Sequence, residues 1–205
     1  MEDPNTFGTD EFIAFCRRTG AEPYLRTNAG TGTPEEMSDW VEYCNLRGTR
    51  RWAARRAADG HPEPYDVRLW NIGNENYGLW EIGAHDPAQW GRYVREAAKM
   101  MRRVDDRVVL AAAAVVDFEW DLDLLADWNL ALLRAAAPQL DLLAVHGYAV
   151  LREGAGDLES LAQYGFAESR LRRAERAVER LGCRVELPPH SVSVLRVPAD
   201  PDRRT

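Results

Sequence analysis

The sequence predicts an α/β protein built on a parallel sheet. Three observations carry this. Extended and helical segments alternate from Glu22 onward. The run Val108 to Val116 has no polar face, as a strand covered on both sides requires. Helix starts are marked by a capping residue followed by proline, at Thr33-Pro34 and Asp86-Pro87.

Glu22 to Asn28 reads as a short strand ending in the turn Ala29-Gly30-Thr31-Gly32. Thr33 can cap the next helix, Pro34 suits its first position, and Glu36 completes a capping box. That helix runs to about Asn45, with Met37, Trp40, Val41 and Cys44 on one face. A second helix covers about Thr49 to Ala58, stopped by Gly60. Val67 to Gly73 is the next strand, closing on Asn74-Glu75. Asp86-Pro87 opens a helix to about Val104, in which Trp90, Tyr93, Val94, Ala97 and Met101 follow the 3.6-residue period. Val108 to Val116 is a strand, Leu122 to Ala137 a helix ended by Pro138, and Leu140 to Val145 a further strand opening onto His146. Leu158 to Leu181 supplies another helix, rich in Arg and Glu. The alternation stops after Gly182: residues 184–197 alternate apolar and polar side chains around Pro188-Pro189, the texture of an antiparallel sandwich.

Composition narrows the function classes. With 26 Lys plus Arg against 33 Asp plus Glu, the net charge is −7. That balance argues against a nucleic-acid partner, whose phosphates call for a concentrated basic surface. The basic stretch Arg47, Arg50, Arg51, Arg55 and Arg56 carries apolar residues between its charges and reads as a solvated helix face. No apolar run approaches the roughly 18 residues that cross a bilayer, so no membrane role is expected. Met1-Glu2-Asp3-Pro4 does not begin an export signal, which makes the cytoplasm the expected compartment. Cys16, Cys44 and Cys183 read as reduced, buried thiols. Neither they nor His61, His85, His146 and His190 are spaced as metal ligands, so neither metal nor cofactor is expected.

In parallel α/β sheets and barrels, reacting groups sit at the C-terminal ends of strands. The informative stretch is therefore Trp70-Asn71-Ile72-Gly73-Asn74-Glu75-Asn76-Tyr77-Gly78-Leu79-Trp80. A carboxyl at Glu75, held near Tyr77 and Trp80, would be partly desolvated and suited to protonating a leaving group near neutral pH. Asn74 could bond a sugar hydroxyl, and Trp or Tyr faces pack on sugar rings. The plainer alternative is that Glu75 caps the following segment or pairs with an arginine.

At this point the sequence resembles the α-L-arabinofuranosidases of glycoside hydrolase family 51. The resemblance is an ordered succession: Asn5-Thr6-Phe7-Gly8-Thr9-Asp10-Glu11-Phe12, Gly20-Ala21-Glu22-Pro23-Tyr24-Leu25, and Gly30-Thr31-Gly32-Thr33-Pro34-Glu35-Glu36. It continues through Trp40-Val41-Glu42-Tyr43-Cys44-Asn45, Gly60-His61-Pro62-Glu63-Pro64-Tyr65 and Gly73-Asn74-Glu75. Trp80-Glu81-Ile82-Gly83 and Ala97-Ala98-Lys99-Met100-Met101 extend it, and coverage reaches about Leu181. The resemblance implies a partial TIM (β/α)8 barrel over residues 1–182, about strands three to six with their helices, and a remnant of a C-terminal β-sandwich over 183–205. A complete barrel usually takes roughly 250 residues, against 205 here.

The resemblance further implies that Glu75 is the general acid/base of a retaining hydrolase and that Asn74 contacts the sugar 2-hydroxyl. His146-Gly147-Tyr148 is similar to the family's His-x-Tyr, placing Tyr148 beside the nucleophile and His146 in the active-site network or, alternatively, as a core histidine. Asn28 is a weaker substrate-contact candidate, and Trp80 either stacks on sugar or packs under its loop. The implied partner is an arabinose-containing oligosaccharide. The family's nucleophile lies in a Glu-Trp-Asn segment on strand seven, and no such segment occurs here. Glu186 is the one tempting substitute, but it precedes Leu187-Pro188-Pro189; Asp117 and Glu119 read as loop acids. The expected activity is release of terminal arabinofuranosyl residues, and the alternative is a sugar-binding remnant or an inactive truncated fragment. Unpaired barrel edges would favour association, so a chain that is either poorly soluble or a homo-oligomer is expected.

Overall fold

The computed structural model describes residues 4–115, 122–146 and 194–196, with side chains left aside at 122–126 and 194–196. The first element is one that periodicity alone did not single out: helix α1, Thr9–Thr19. The Glu11 carboxylate accepts from the Gly8 N–H at 2.8 Å at its start, Gly20 in a left-handed conformation ends it, and Ile13 and Cys16 form its buried edge. Strand β1, Tyr24–Thr27, leads to helix α2, Pro34–Asn45, whose Thr33–Glu36 capping box forms as expected. Helix α3, Arg51–Ala58, and strand β2, Leu69–Ile72, follow. Then come α4, Pro87–Val104; β3, Val109–Ala114; α5, Leu122–Ala136; β4, Leu142–Val145; and β5, Val194–Arg196.

The five strands form one sheet in the order β1-β2-β3-β4-β5. The first four are parallel, as the alternation predicts, and β5 runs antiparallel to β4. The helix read over Leu158 to Leu181, and the domain division at 182/183, lie outside the described residues.

Strands are shorter than their sequence signatures for identifiable reasons. Val67 spends its N–H and C=O on the side chain of Asn45, both at 2.8 Å, so pairing in β2 starts only at Leu69. Leu140 closes a turn on Ala137, so β4 starts at Leu142.

Register assigns the two faces of the sheet. Leu25, Trp70 and Leu110 align across neighbouring strands, as do Ile72, Ala112 and Leu143. All of these are buried, in the core that also takes in α2, α4 and α5. Trp40 meets Trp70 edge-to-face at 5.6 Å, and Trp90 stacks on Trp128 at the same spacing. Both Trp90 and Trp128 donate their indole N–H to the carbonyl of Ala113. The other face carries Tyr24, Arg26, Asn71, Ala111 and Ala144; it is the more open one at β1, where Tyr24 and Arg26 are exposed.

The basic stretch corrects the sequence reading. Arg56 is not on a solvated face: it is 1 % exposed. Its guanidinium bonds the carbonyls of Tyr43, Leu46, His61 and Pro62, tying the end of α2 to the segment after α3. A buried arginine is tolerable when its donors are satisfied in this way. Cys16 and Cys44 are buried free thiols, and burial pushes the Cys44 thiol well above its ordinary range.

Candidate active site

Parallel register brings the C-terminal ends of β1, β2 and β4 to one end of the sheet. Asn28 follows β1, Asn74 and Glu75 follow β2, and His146 follows β4 directly. A cleft of about 580 Å³ opens there, lined by Arg26, Thr27, Asn28 and the turn to Thr31 on one side, and by Asn74, Asn76, Trp80, Glu81 and Ile82 on the other.

The turn after β2 sets the carboxylate. Gly73 adopts φ 72° and Glu75 φ 47°, so two residues of the stretch take left-handed backbone. A side chain at Gly73 would meet Asn76 Oδ1 at 2.2 Å and the Trp90 ring at 2.5 Å, which explains the glycine. The turn is closed by Gly78 N–H donating to the Glu75 carbonyl at 2.7 Å and His85 N–H to the Asn76 carbonyl at 2.8 Å. Asn76 is 2 % exposed and works as a brace. Its Oδ1 accepts from the Asn74 N–H at 2.9 Å, and its Nδ2 donates to the carbonyls of Ala29 and Gly83.

Glu75 is buried, yet each of its oxygens meets a polar group. His146 Nδ1 lies 2.7 Å from Oε1, and Trp80 Nε1 donates to Oε2 at 3.4 Å. Arg26 reaches His146 Nε2 at 3.3 Å and also donates to Asn74 Oδ1. Asn74 Nδ2 in turn donates to Glu81 Oε1 at 3.2 Å. Five side chains besides Glu75 are therefore linked in sequence: Glu81, Asn74, Arg26, His146 and, beyond the carboxylate, Trp80. On β1, Tyr24 donates to Asn71 Oδ1 at 3.0 Å; the residue is exposed as a whole but its hydroxyl is partly buried, and that desolvation pushes the phenol up, with the Arg26 charge opposing.

The sequence candidates thus separate. Asn74, Asn28 and Trp80 line the cleft; Glu75 and His146 are not among the lining residues and connect to it through Trp80 and Arg26. Asn28 braces its own turn, accepting from the N–H groups of Gly30 and Thr31 and donating to Thr31 Oγ1. Trp80 is 56 % exposed and meets Tyr77 edge-to-face at 6.3 Å, so its ring is both a cleft wall and a donor to Glu75. Tyr148, Glu186, Asp117 and Glu119 lie outside the described residues. Arg26, Asn76 and Glu81 were not singled out from sequence. The period-2 alternation Tyr24, Arg26, Asn28 was the signal for Arg26. Among the described residues, no group of three His, Cys, Asp or Glu is gathered to hold a metal ion. No helix among them is long and apolar enough to cross a membrane.

Residues 1–161 match the family described as the alpha-L-arabinofuranosidase 1 domain. A probable alpha-L-arabinofuranosidase C of Aspergillus flavus is 40 % identical over 108 residues, covering 53 % of this chain and 21 % of that protein. An intracellular exo-alpha-(1->5)-L-arabinofuranosidase of Halalkalibacterium halodurans is 31 % identical over 131 residues, covering 64 % and 26 %. The chain therefore spans about a fifth to a quarter of the length of these relatives. Among solved structures, the thermostable GH51 alpha-L-arabinofuranosidase of Thermotoga petrophila superposes with a TM-score of 0.79 at 36 % identity, over 88 % of this chain and 35 % of that one. The Bifidobacterium longum family 51 enzyme gives 0.76 at 26 % identity, over 84 % and 35 %. With its parallel α/β sheet and a family match over most of its length, the chain belongs to the α-L-arabinofuranosidases of glycoside hydrolase family 51.

Proposed function

We propose that this chain carries the acid/base half of a retaining α-L-arabinofuranosidase site, acting on arabinose-containing oligosaccharides. The observation that supports it is the Glu75 carboxylate, buried at the C-terminal end of β2 between His146 and Trp80 and beside the cleft. In such a site Glu75 protonates the glycosidic oxygen as a second carboxyl displaces it at the anomeric carbon, and then takes a proton from the water that displaces that carboxyl and frees the sugar. Asn74 contacts a sugar hydroxyl, Trp80 and Asn28 shape the cleft, His146 orients Glu75, and Tyr148 contacts substrate. The name of the Halalkalibacterium relative supports an intracellular place of action.

Retention requires a second carboxyl roughly 5–5.5 Å from the first, to attack the anomeric carbon. The sequence has no Glu-Trp-Asn segment to supply it. That observation favours a second reading, in which the chain binds arabinosyl groups without hydrolysing them.

Hydrolysis of an aryl α-L-arabinofuranoside tests both. Under the first reading the chain turns over this substrate, and Glu75→Gln lowers turnover of a poor leaving group by about 10²–10⁴-fold. Turnover that survives Glu75→Gln undiminished refutes the assignment. No turnover together with saturable L-arabinose binding supports the second reading.

A further inference from the structure

Arg26 stands at the centre of the linked side chains, joined on one side to His146 and on the other to Asn74. A guanidinium carries N–H donors on every nitrogen and cannot accept. Its Nη2 lies 3.3 Å from His146 Nε2, so that ring nitrogen must present a lone pair. The ring proton of neutral His146 then sits on Nδ1, where it donates to Glu75 Oε1 over 2.7 Å. The opposite tautomer would set an N–H against the guanidinium and a lone pair against the carboxylate.

The same logic holds at the other arm. Arg26 donates to Asn74 Oδ1, while Asn74 Nδ2 faces Glu81 Oε1 at 3.2 Å. A flipped amide would put NH2 against the cation and oxygen against the anion. Opposite charges at its two ends therefore fix the amide, and Nδ2 retains a second hydrogen for a ligand hydroxyl in the cleft it lines.

We infer that Arg26 is a positioning residue, setting at once the His146 tautomer that donates to Glu75 and the rotation of the Asn74 amide. The meaning of those two settings for hydrolysis rests on the function proposed above; the settings themselves do not.

The test is long-range ¹H–¹⁵N correlation of the imidazole nitrogens on the full chain, with the pH raised until the ring is neutral and His146 assigned through His146→Gln. The wild-type ring should be the neutral Nδ1–H tautomer. Arg26→Met should move it toward Nε2–H, Arg26→Lys should retain the wild-type pattern in part, and Arg68→Met, which removes an arginine paired with Asp66, should change nothing. An Nε2–H wild-type ring, or Arg26→Met indistinguishable from wild type, overturns the inference. Should Arg26→Met fail to fold, the wild-type tautomer and Arg26→Lys still decide. Titration with L-arabinose in the same samples separates the two proposals: the expected tautomer without a sugar response supports the inference while removing the functional reading.

Discussion

Gly73→Ala tests how tightly the turn that carries Glu75 is determined. Two costs can be read from the structure. The first is backbone: φ 72° is left-handed, and an L residue there costs about 1–2 kcal/mol. The second is steric. The added methyl would sit 2.2 Å from Asn76 Oδ1 and 2.5 Å from the Trp90 ring, so one buried group must move by more than an ångström. Asn76 is the one able to move, and doing so strains its bonds to Asn74, Ala29 and Gly83, worth about 1 kcal/mol each. Losing one to three of them brings the sum to about 2–5 kcal/mol. For a chain of this size that corresponds to a fall in Tm of roughly 5–15 °C. Gly20→Ala isolates the first cost, because φ there is 70° and nothing lies within 4 Å of the new methyl; about 1–2 kcal/mol is expected. Urea unfolding followed by tryptophan fluorescence measures both. If the two variants agree within about 0.5 kcal/mol, the close approach of Gly73 to Asn76 is not what holds the turn.

Two further outcomes are expected away from the site. Asn45→Ala should destabilise by about 2–4 kcal/mol in the same unfolding assay, because it strips the buried Val67 N–H of its partner and takes one donor each from the Val67 carbonyl and Asp105. Burial alone would raise the Asp105 carboxyl, but bonds from the Arg107 side chain and backbone and from Asn45 outweigh it and hold the group below its ordinary range. A depressed carboxyl favours the fold fully above the unfolded value of about 3.9 and loses that contribution as pH falls through the folded one. Asp105→Asn should therefore flatten the acid limb of the stability profile below about pH 4, measured by urea midpoints across pH; an unchanged slope refutes the assignment.

What could be read from sequence was local. The Thr33–Glu36 capping box, the Pro87 helix start and the Trp90, Val94, Ala97, Met101 stripe each depend on residues within a few turns, and each forms. Arg56 failed because its burial depends on carbonyls of Tyr43, Leu46, His61 and Pro62, and the convergence of those four is decided by how α2 and α3 pack. For Arg26 the face was legible from the alternation, but the partners were not, for a related reason. Its neighbours in the chain say only that it sits on the open face of a strand; its partners lie 48 and 120 residues away. Helix α1 was legible in principle, through Ile13 and Cys16 at helical spacing and Gly20 at its end, but its short apolar stripe is a weak signal beside the strand–helix alternation that follows.

The position of Glu75 follows from the conflict between its backbone and its side chain. A non-glycine residue in left-handed conformation costs on the order of 1–3 kcal/mol and persists only where surroundings over-determine it. Here they do so from three directions. The Gly78 N–H fixes the Glu75 carbonyl, the Asn76 brace fixes the residues on either side, and His146 and Trp80 hold the carboxylate. Removing any one of these leaves the others to oppose relaxation toward ordinary φ. The parallel register of β1 to β4 is what makes this possible, since it delivers His146 and Arg26 to the same end of the sheet as the turn after β2. In an antiparallel sheet of the same strand order β2 and β4 would still end together, but β1 would end at the opposite side of the sheet, and the turn would lose the wall that β1 and Asn28 supply.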